Sequence, residues 1–374
     1  MAHLLYVSKP IAPPWNDGSK NVVRDVARHL PAHRVSLLGR RGRPGAEDVA
    51  PAELLPVHPP GRGRFAPGAS ERLRTLLAAA RTPGVDLLHY FFAPSPATRR
   101  AADLLRRLRP LPSVHTVCSA PSPRLDPAAL LLADVTVVLS RHTEQRYLAA
   151  GVPAERLRRM PVPLAPVEPP SPERRAEARR ALRIAHDAPL VLYAGDLEFG
   201  GGAERILRAF ALLPGAFGRE AVLVMAFRAK TERARQEAAR LRSDLVPGHL
   251  SKRVRWAGEV PDIHALLAAA DVVALPSDSL LAKVDHPLVL LEAMSLGRPA
   301  LVCDGTPAAE LAEGGALSVP PTPEAVAEGL SRLLEDPGDA RVRGQRGAEY
   351  VRSAHDPGRV ASRYAALYDE VLGC

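Results

Sequence analysis

Apolar runs of four to six residues recur along the chain, each bounded by turn residues and followed by a stretch whose apolar positions repeat at helical spacing. In the first half His3–Ser8, Val35–Leu38, Val85–His89 and Ser113–Val117 read as strands. Between them Asn21–Leu30, apolar at Val22, Val23, Val26 and Ala27, reads as a helix, as do Ser70–Arg81, with Ser70 placed to cap it, and Ala97–Arg107. Arg40–Pro67, dense in Gly, Pro and Arg, reads as a mobile connection.

The second half begins with the charged helix Glu173–Leu182 and the strand Leu190–Ala194. The turn Gly195–Gly202 then leads into the helix Glu204–Leu212. Strands follow at Ala221–Ala226, in the segment Arg255–Pro261, at Asp271–Pro276 and at Pro299–Cys303. Between the last two lies a helix that opens on Pro287, whose fixed φ suits a first helical position, and closes at Gly297. This makes a strand, loop, helix, strand unit of the parallel-sheet kind. A closing hairpin or strand is expected near Ala316–Pro320, then helices Pro323–Glu335, Asp339–Ala354 and Asp356–Val371. Pro127–Ser140 echoes Ile263–Ser277: each is a short Ala/Leu helix running through Ala-Asp into a buried strand that ends in Ser. One supersecondary unit in each half predicts two similar doubly wound α/β domains. The expected boundaries are 1–160 and 173–355, joined by the proline-rich stretch 161–172, which is extended by preference.

Composition narrows the function class. A chain of 374 residues with 46% apolar and 4% aromatic content fits two α/β cores. The formal charge of +9 comes largely from arginines scattered along helices, without the motifs of a nucleic-acid binder. It suits phosphorylated small molecules and, as a peripheral contact, an anionic membrane surface. Cys118, Cys303 and Cys374 are odd in number and widely spaced, which predicts no disulfide framework. With no signal peptide and no run long enough to span a bilayer, the expected location is the cytoplasm, at most against the inner face of the membrane.

Ligands of open parallel sheets bind beyond the carboxyl ends of the strands. Residues placed there are the candidates for chemistry. The turn carrying Gly18 and Lys20 follows the first strand, although Asn-Asp-Gly is also a plain turn signal. His89 and His115 fall at expected strand ends, where an imidazole serves as acid, base or donor to a sugar hydroxyl; the alternative is a half-buried ring bonded to a backbone carbonyl. Gly195, Gly201 and Gly202 stand between a buried strand and a helix, the context of a phosphate-approaching loop. Arg228 and Lys230 follow the next strand, where a diphosphate would meet them, and Glu259 stands in the turn after another. Lys283 and Asp285 precede a helix N-terminus that favours anions. Glu292 lies four residues after Leu288, on the side of its helix read as packing inward, where a carboxylate needs a partner. The alternative there is an ordinary solvated loop in front of a core helix.

The motifs Leu275-Pro-Ser277, Leu290-Leu-Glu-Ala-Met294, Gly297, Pro299 and Glu310 resemble those of family 4 glycosyltransferases of the GT-B fold. Ala133-Asp-Val-Thr-Val-Val-Leu-Ser140 through Arg156 and the opening Pro-Pro-Trp-Asn-Asp-Gly extend the resemblance over nearly the whole chain. It implies two Rossmann-like domains facing each other across a cleft, with the last helix, 356–371, crossing back onto the first. It implies transfer of a sugar from a nucleotide-diphosphate sugar to a hydroxyl acceptor, with retention of configuration, without a metal and with no cofactor beyond the donor. Glu292, Arg228, Lys230, Gly195, Gly201, Gly202 and Glu259 would then hold the donor, His115, Lys283 and Asp285 would serve catalysis, and Gly18, Lys20 and His89 would face the acceptor.

Departures from the family pattern fall on the donor side. The family's second glutamate, eight residues before Glu292, is replaced by Val284, and the Arg and Lys that grip the diphosphate are replaced by Asp196 and Gly201. The Asn-Gly-x-Asp element of the linker is replaced by Val162–Ala165. A clamp relocated to Arg228, Lys230 and Lys283 is one reading. A catalytically silent nucleotide-sugar-binding protein and a sugar-nucleotide epimerase are the others.

Overall fold

The computed structural model describes all residues except 62–66, 215–219, 230, 247 and 282. The chain forms two compact units. The first gathers Met1–Ala165, Leu281–Asp285 and His355–Cys374; the second gathers Pro166–Leu280 and His286–Ala354.

Seven strands build the first sheet: β1 (His3–Ile11), β2 (Arg34–Arg40), β3 (Glu53–His58), β4 (Leu87–Phe92), β5 (Ser113–Val117), β6 (Val135–Val138) and β7 (Leu157–Arg159). All are parallel, in the order β3-β2-β1-β4-β5-β6-β7. Leu4, Leu5, Tyr6 and Val7 are consecutive and all buried, because helices cover both faces of the sheet. The direction of winding reverses between β1 and β4. The stretch read as a mobile connection contains β3, whose pairing with β2 outweighs its Gly/Pro-rich surroundings. Arg141–Ala149 and β7 also form elements that the apolar pattern did not mark, the first being polar at most positions and the second only three residues long.

The helix Pro357–Leu372 belongs to the first unit and carries two fully buried tyrosines into it. Tyr368 Oη lies 2.8 Å from Tyr6 Oη and 2.6 Å from His89 Nδ1. His89 Nε2 is 2.8 Å from Thr116 Oγ1, which is 3.0 Å from Tyr364 Oη. The proline-rich segment joins this corner: His355 Nδ1 donates to Val162 O at 2.7 Å and Leu164 N to His355 O at 2.9 Å.

The second sheet has six parallel strands: β8 (Leu190–Ala194), β9 (Val222–Ala226), β10 (Val254–Gly258), β11 (Val272–Leu275), β12 (Ala300–Cys303) and β13 (Leu317–Val319). Their order is β10-β9-β8-β11-β12-β13, so winding reverses between β8 and β11. β13 extends the sheet in parallel with β12 rather than closing a hairpin. The helix Glu232–Leu245 escaped the apolar pattern because only Ala234, Ala238 and Leu241 are buried among its many charges. The helix Leu288–Ser295 starts one residue after Pro287, which caps it, and Gly297 ends it at φ +70°.

Candidate functional site

In the second unit the chain between β8 and its following helix must turn within reach of the loop after β11. Glycine makes this possible. Gly200 and Gly201 have φ of +69° and +60°. A Cβ on Gly200 would lie 2.2 Å from Ser279 O, and one on Gly202 2.5 Å from Ser277 Oγ. A side chain at 200 would have to displace backbone, and one at 202 would have to displace the Ser277 hydroxyl. Asp278 N donates to Gly200 O at 2.9 Å and ties the two loops together. The helix Gly202–Ala211 then starts at the point where winding reverses, with its first N–H groups and positive dipole end at the turn. Gly195 is packed as tightly, since a Cβ there would lie 2.7–2.8 Å from the Tyr193 ring and Leu275.

Sequence reasoning missed a cation at this turn. Arg205 reaches back from the first turns of the helix, its Nη1 donating to Pro276 O at 2.6 Å and its Nη2 pairing with Asp278 at 2.9 Å. Its guanidinium lies 3.7–3.8 Å from the place where a side chain at position 201 would begin. Arg205 thus sets a guanidinium beside position 201, paired there with Asp278. The rule that a helix residue reaches back over the preceding turn was the available signal.

Glu292 is half-buried rather than fully inward, since Leu290, Leu291, Ala293 and Met294 take the core face of its helix. Its partner is His264, at 3.7 Å, on the neighbouring helix Ile263–Ala269. The neighbouring Glu292 carboxylate raises the His264 pKa against the effect of burial. Arg228 follows β9 and Glu259 follows β10, and Phe227 N donating to Gly258 O at 2.8 Å ties those strand ends together. Lys230 lies outside the described residues. His286 and Glu310 form a further pair at 3.6 Å.

Lys283 and Asp285 group with the first unit, not with Glu292. Asp285 is buried and accepts a hydrogen bond from Ser140 Oγ at 2.6 Å, so its carboxylate is engaged within that unit rather than open to a sugar hydroxyl. Ser140 also caps the helix Arg141–Ala149 through Thr143 N at 3.0 Å. The same strand ends hold Lys9, paired with Asp17 at 2.5 Å. Burial alone would push Asp17 up, but Lys9, the Ser19 hydroxyl and the Lys20 N–H hold it down at about 2. Gly18 opens the helix that Asp17 caps, and Lys20 Nζ donates to Ala12 O at 2.9 Å. Burial pushes the Cys118 thiol up to about 12, with Lys9 opposing and Asp17 and Asp285 reinforcing, so it is not a nucleophile at neutral pH.

The two histidines do not fit the roles expected of them. β4 runs on to Phe92, past its expected end at His89, and His115 is the middle residue of β5, whose bounds are as expected, so both histidines sit inside strands rather than at their ends. His89 is fully buried with both ring nitrogens engaged, and His115 is buried with Nε2 3.0 Å from Phe92 O. Burial holds His115 at about 4 and His89 well below its ordinary value, so both are neutral rings that brace the sheet.

Two doubly wound parallel α/β sheets are the architecture of the GT-B fold. Comparison with known proteins agrees. The family model described as Glycosyltransferase Family 4 matches residues 16–164, and that described as Glycosyl transferases group 1 matches residues 174–350. The chain belongs to the family 4 glycosyltransferases of the GT-B fold. It is 30% identical over 139 residues to the lipopolysaccharide core biosynthesis mannosyltransferase LpcC of Rhizobium leguminosarum bv. viciae, a match spanning 36% of this chain and 38% of that one. Among solved structures, Anabaena Alr3699/HepE in complex with UDP superposes with a TM-score of 0.77 at 18% identity, covering 99% of this chain and 100% of that one. The sucrose-phosphate synthase of Thermosynechococcus elongatus gives 0.75 at 22% identity over the full length of both. At these identities the structures show a shared fold.

Proposed function

We propose that this protein transfers a sugar from a nucleoside-diphosphate sugar to a hydroxyl acceptor, with retention of configuration and without a metal. The observation that carries the reading is the glycine-rich turn after β8, closed by the loop after β11 and flanked by Arg205. Glycines let the donor's diphosphate approach the N–H groups of residues 201 and 202, and the helix behind them favours its charge. Arg205 supplies the cation that position 201 lacks, with Arg228 as a second. Glu292, steadied by His264, accepts the ribose hydroxyls. As the bond from the anomeric carbon to the leaving oxygen breaks, negative charge builds on the distal phosphate. Fixed dipoles and a guanidinium placed there stabilise that state more than the bound donor. UDP and UDP-glucose in complexes of Anabaena Alr3699/HepE support a nucleoside-diphosphate sugar as the donor. The mannosyltransferase match favours a hexose and a glycan or lipid-linked acceptor.

Glu292→Gln is expected to weaken donor binding by about 1–3 kcal/mol, the range for a hydrogen bond to a charged group, with the folded protein otherwise unchanged. Titration calorimetry with UDP- and GDP-sugars measures it, and equal affinities in the two proteins would remove Glu292 from the site. Side chains and a helix N-terminus are proposed to carry the leaving charge, so turnover should persist in EDTA; loss of activity that Mg²⁺ or Mn²⁺ restores would contradict this.

The absence of the family's cations at Asp196 and Gly201 favours, as the second reading, a protein that binds a nucleotide sugar without turning it over. Release of nucleoside diphosphate on adding acceptor separates the two. Turnover of the donor without acceptor would indicate hydrolysis or epimerisation.

A further inference from the structure

The second unit holds a cavity of about 420 Å³ at the amino ends of its strands. Pro189 and Asp271 line it and stand one residue before β8 and β11, so it lies at the opposite end of those strands from the glycine turn. β8 is five residues long, which separates the two places by roughly 16 Å. The volume falls within the roughly 300–1,000 Å³ of small-molecule sites.

Arg298, on the cavity wall, carries a charge that the fold leaves uncompensated. It follows Gly297 at the end of the helix Leu288–Ser295 and is half-buried. Its Nε is buried with no hydrogen-bond partner, and its Nη1 reaches Ala270 O only at 3.4 Å. Among the described residues it forms no ion pair. Burial lowers its pKa, Arg175 lowers it further, and Asp271 offsets only part of this. Asp271 is already engaged, its carboxylate accepting from Leu190 N at 2.7 Å and pairing with Arg179 at 3.3 Å. A guanidinium withdrawn from water needs an opposite charge, and the fold supplies none.

A second cation faces the same space. Arg341, from the helix Pro337–Ala354, is exposed on the cavity and forms no ion pair among the described residues. Against these two guanidinium groups stand the engaged Asp271 and the exposed Asp187. Leu333 and Leu334, from the helix Pro323–Glu335, add an apolar wall. Two guanidinium groups suit a dianion, and the apolar wall and the volume suit an organic body attached to it. We propose that this cavity binds a phosphate monoester of a small organic molecule. The inference goes beyond the transferase reading and does not rest on it, because binding is measured with no sugar nucleotide present.

The test is titration calorimetry of the full chain with phenyl phosphate, inorganic phosphate and benzoate. Phenyl phosphate should bind tightest, inorganic phosphate more weakly for want of a body against the leucines, and benzoate more weakly for want of the second charge. Arg298→Gln should weaken phenyl phosphate about tenfold or more, the effect of losing a hydrogen bond to a charged group. Arg341→Gln should weaken it about threefold, as befits an exposed cation, and tests the site should the half-buried Arg298 prove necessary for folding. Arg205→Ala, at the far end of β8, should bind it like wild type. No binding of phenyl phosphate, an equal or tighter affinity for inorganic phosphate or benzoate, or wild-type affinity in folded Arg298→Gln and Arg341→Gln proteins would overturn the proposal. So would a loss of binding in Arg205→Ala alone, which would put the phosphate at the glycine turn.

Discussion

Arg205→Ala is expected to slow sugar transfer by about 100- to 1,000-fold, the cost of deleting one preorganised donor to a developing oxyanion. Donor binding should fall much less, because the charge that Arg205 meets grows only as the glycosyl bond breaks. The proposed role rests on the reach of the side chain: from helix position 205 the guanidinium returns to within 3.8 Å of the Cβ position at 201. Pro276 O and Asp278 hold it there at 2.6 and 2.9 Å, so it needs no reorganisation when the donor arrives. Arg205→Lys keeps a cation but loses the planar fork that spans both partners, and should recover only part of the rate. Arg228→Ala and Lys283→Ala are the comparison. If either slows turnover more than Arg205→Ala, the diphosphate is held by the cations picked from sequence rather than by the helix. Steady-state kcat and nucleoside-diphosphate affinity, measured on all four variants, decide between them.

A second large effect concerns acid. His115 titrates at about 4 in the folded chain against 6.5 ordinarily, because burial disfavours its charged form, and His89 is depressed for the same reason. Between those values the unfolded chain binds protons that the folded chain refuses. Stability therefore falls as pH drops from 6.5 towards 4, and is unaffected by these groups above 6.5. His115 alone accounts for on the order of 3 kcal/mol by pH 4. Asp17, depressed to about 2 from 3.8, acts in a lower window and does not overlap. Urea unfolding from pH 7 to pH 4 should show this loss, and His115→Phe should flatten it by one proton. An equal slope in that variant would mean that the folded ring takes up its proton as readily as the unfolded one.

Much of the fold was legible because most buried strands are short runs rich in apolar and β-branched residues, as at Leu190–Ala194 and Ser113–Val117, whose expected and observed bounds coincide. The glycine turn after β8 was legible for the same local reason: three glycines between a buried strand and a helix have few other uses. What depends on tertiary partners was not. His89 closes the apolar run Val85–His89 and so reads as a strand-end residue. The continuation Tyr90-Phe-Phe92 and the tyrosines of a helix nearly 280 residues away in sequence bury it instead. Arg205 is one of 50 basic residues, and only its contacts to Pro276 and Asp278 distinguish it. His264 stands 28 residues before Glu292, on a different helix, with no periodicity linking them.

The central claim is that the second unit holds a sugar nucleotide at the end of β8 and β11. A crystal structure with a bound nucleoside diphosphate tests it most directly. The account predicts diphosphate oxygens about 2.7–3.2 Å from the N–H groups of Gly201 or Gly202 and from the Arg205 guanidinium, with the ribose on Glu292. A diphosphate seated instead among Lys9, Lys20 and Ser140 of the first unit would contradict it.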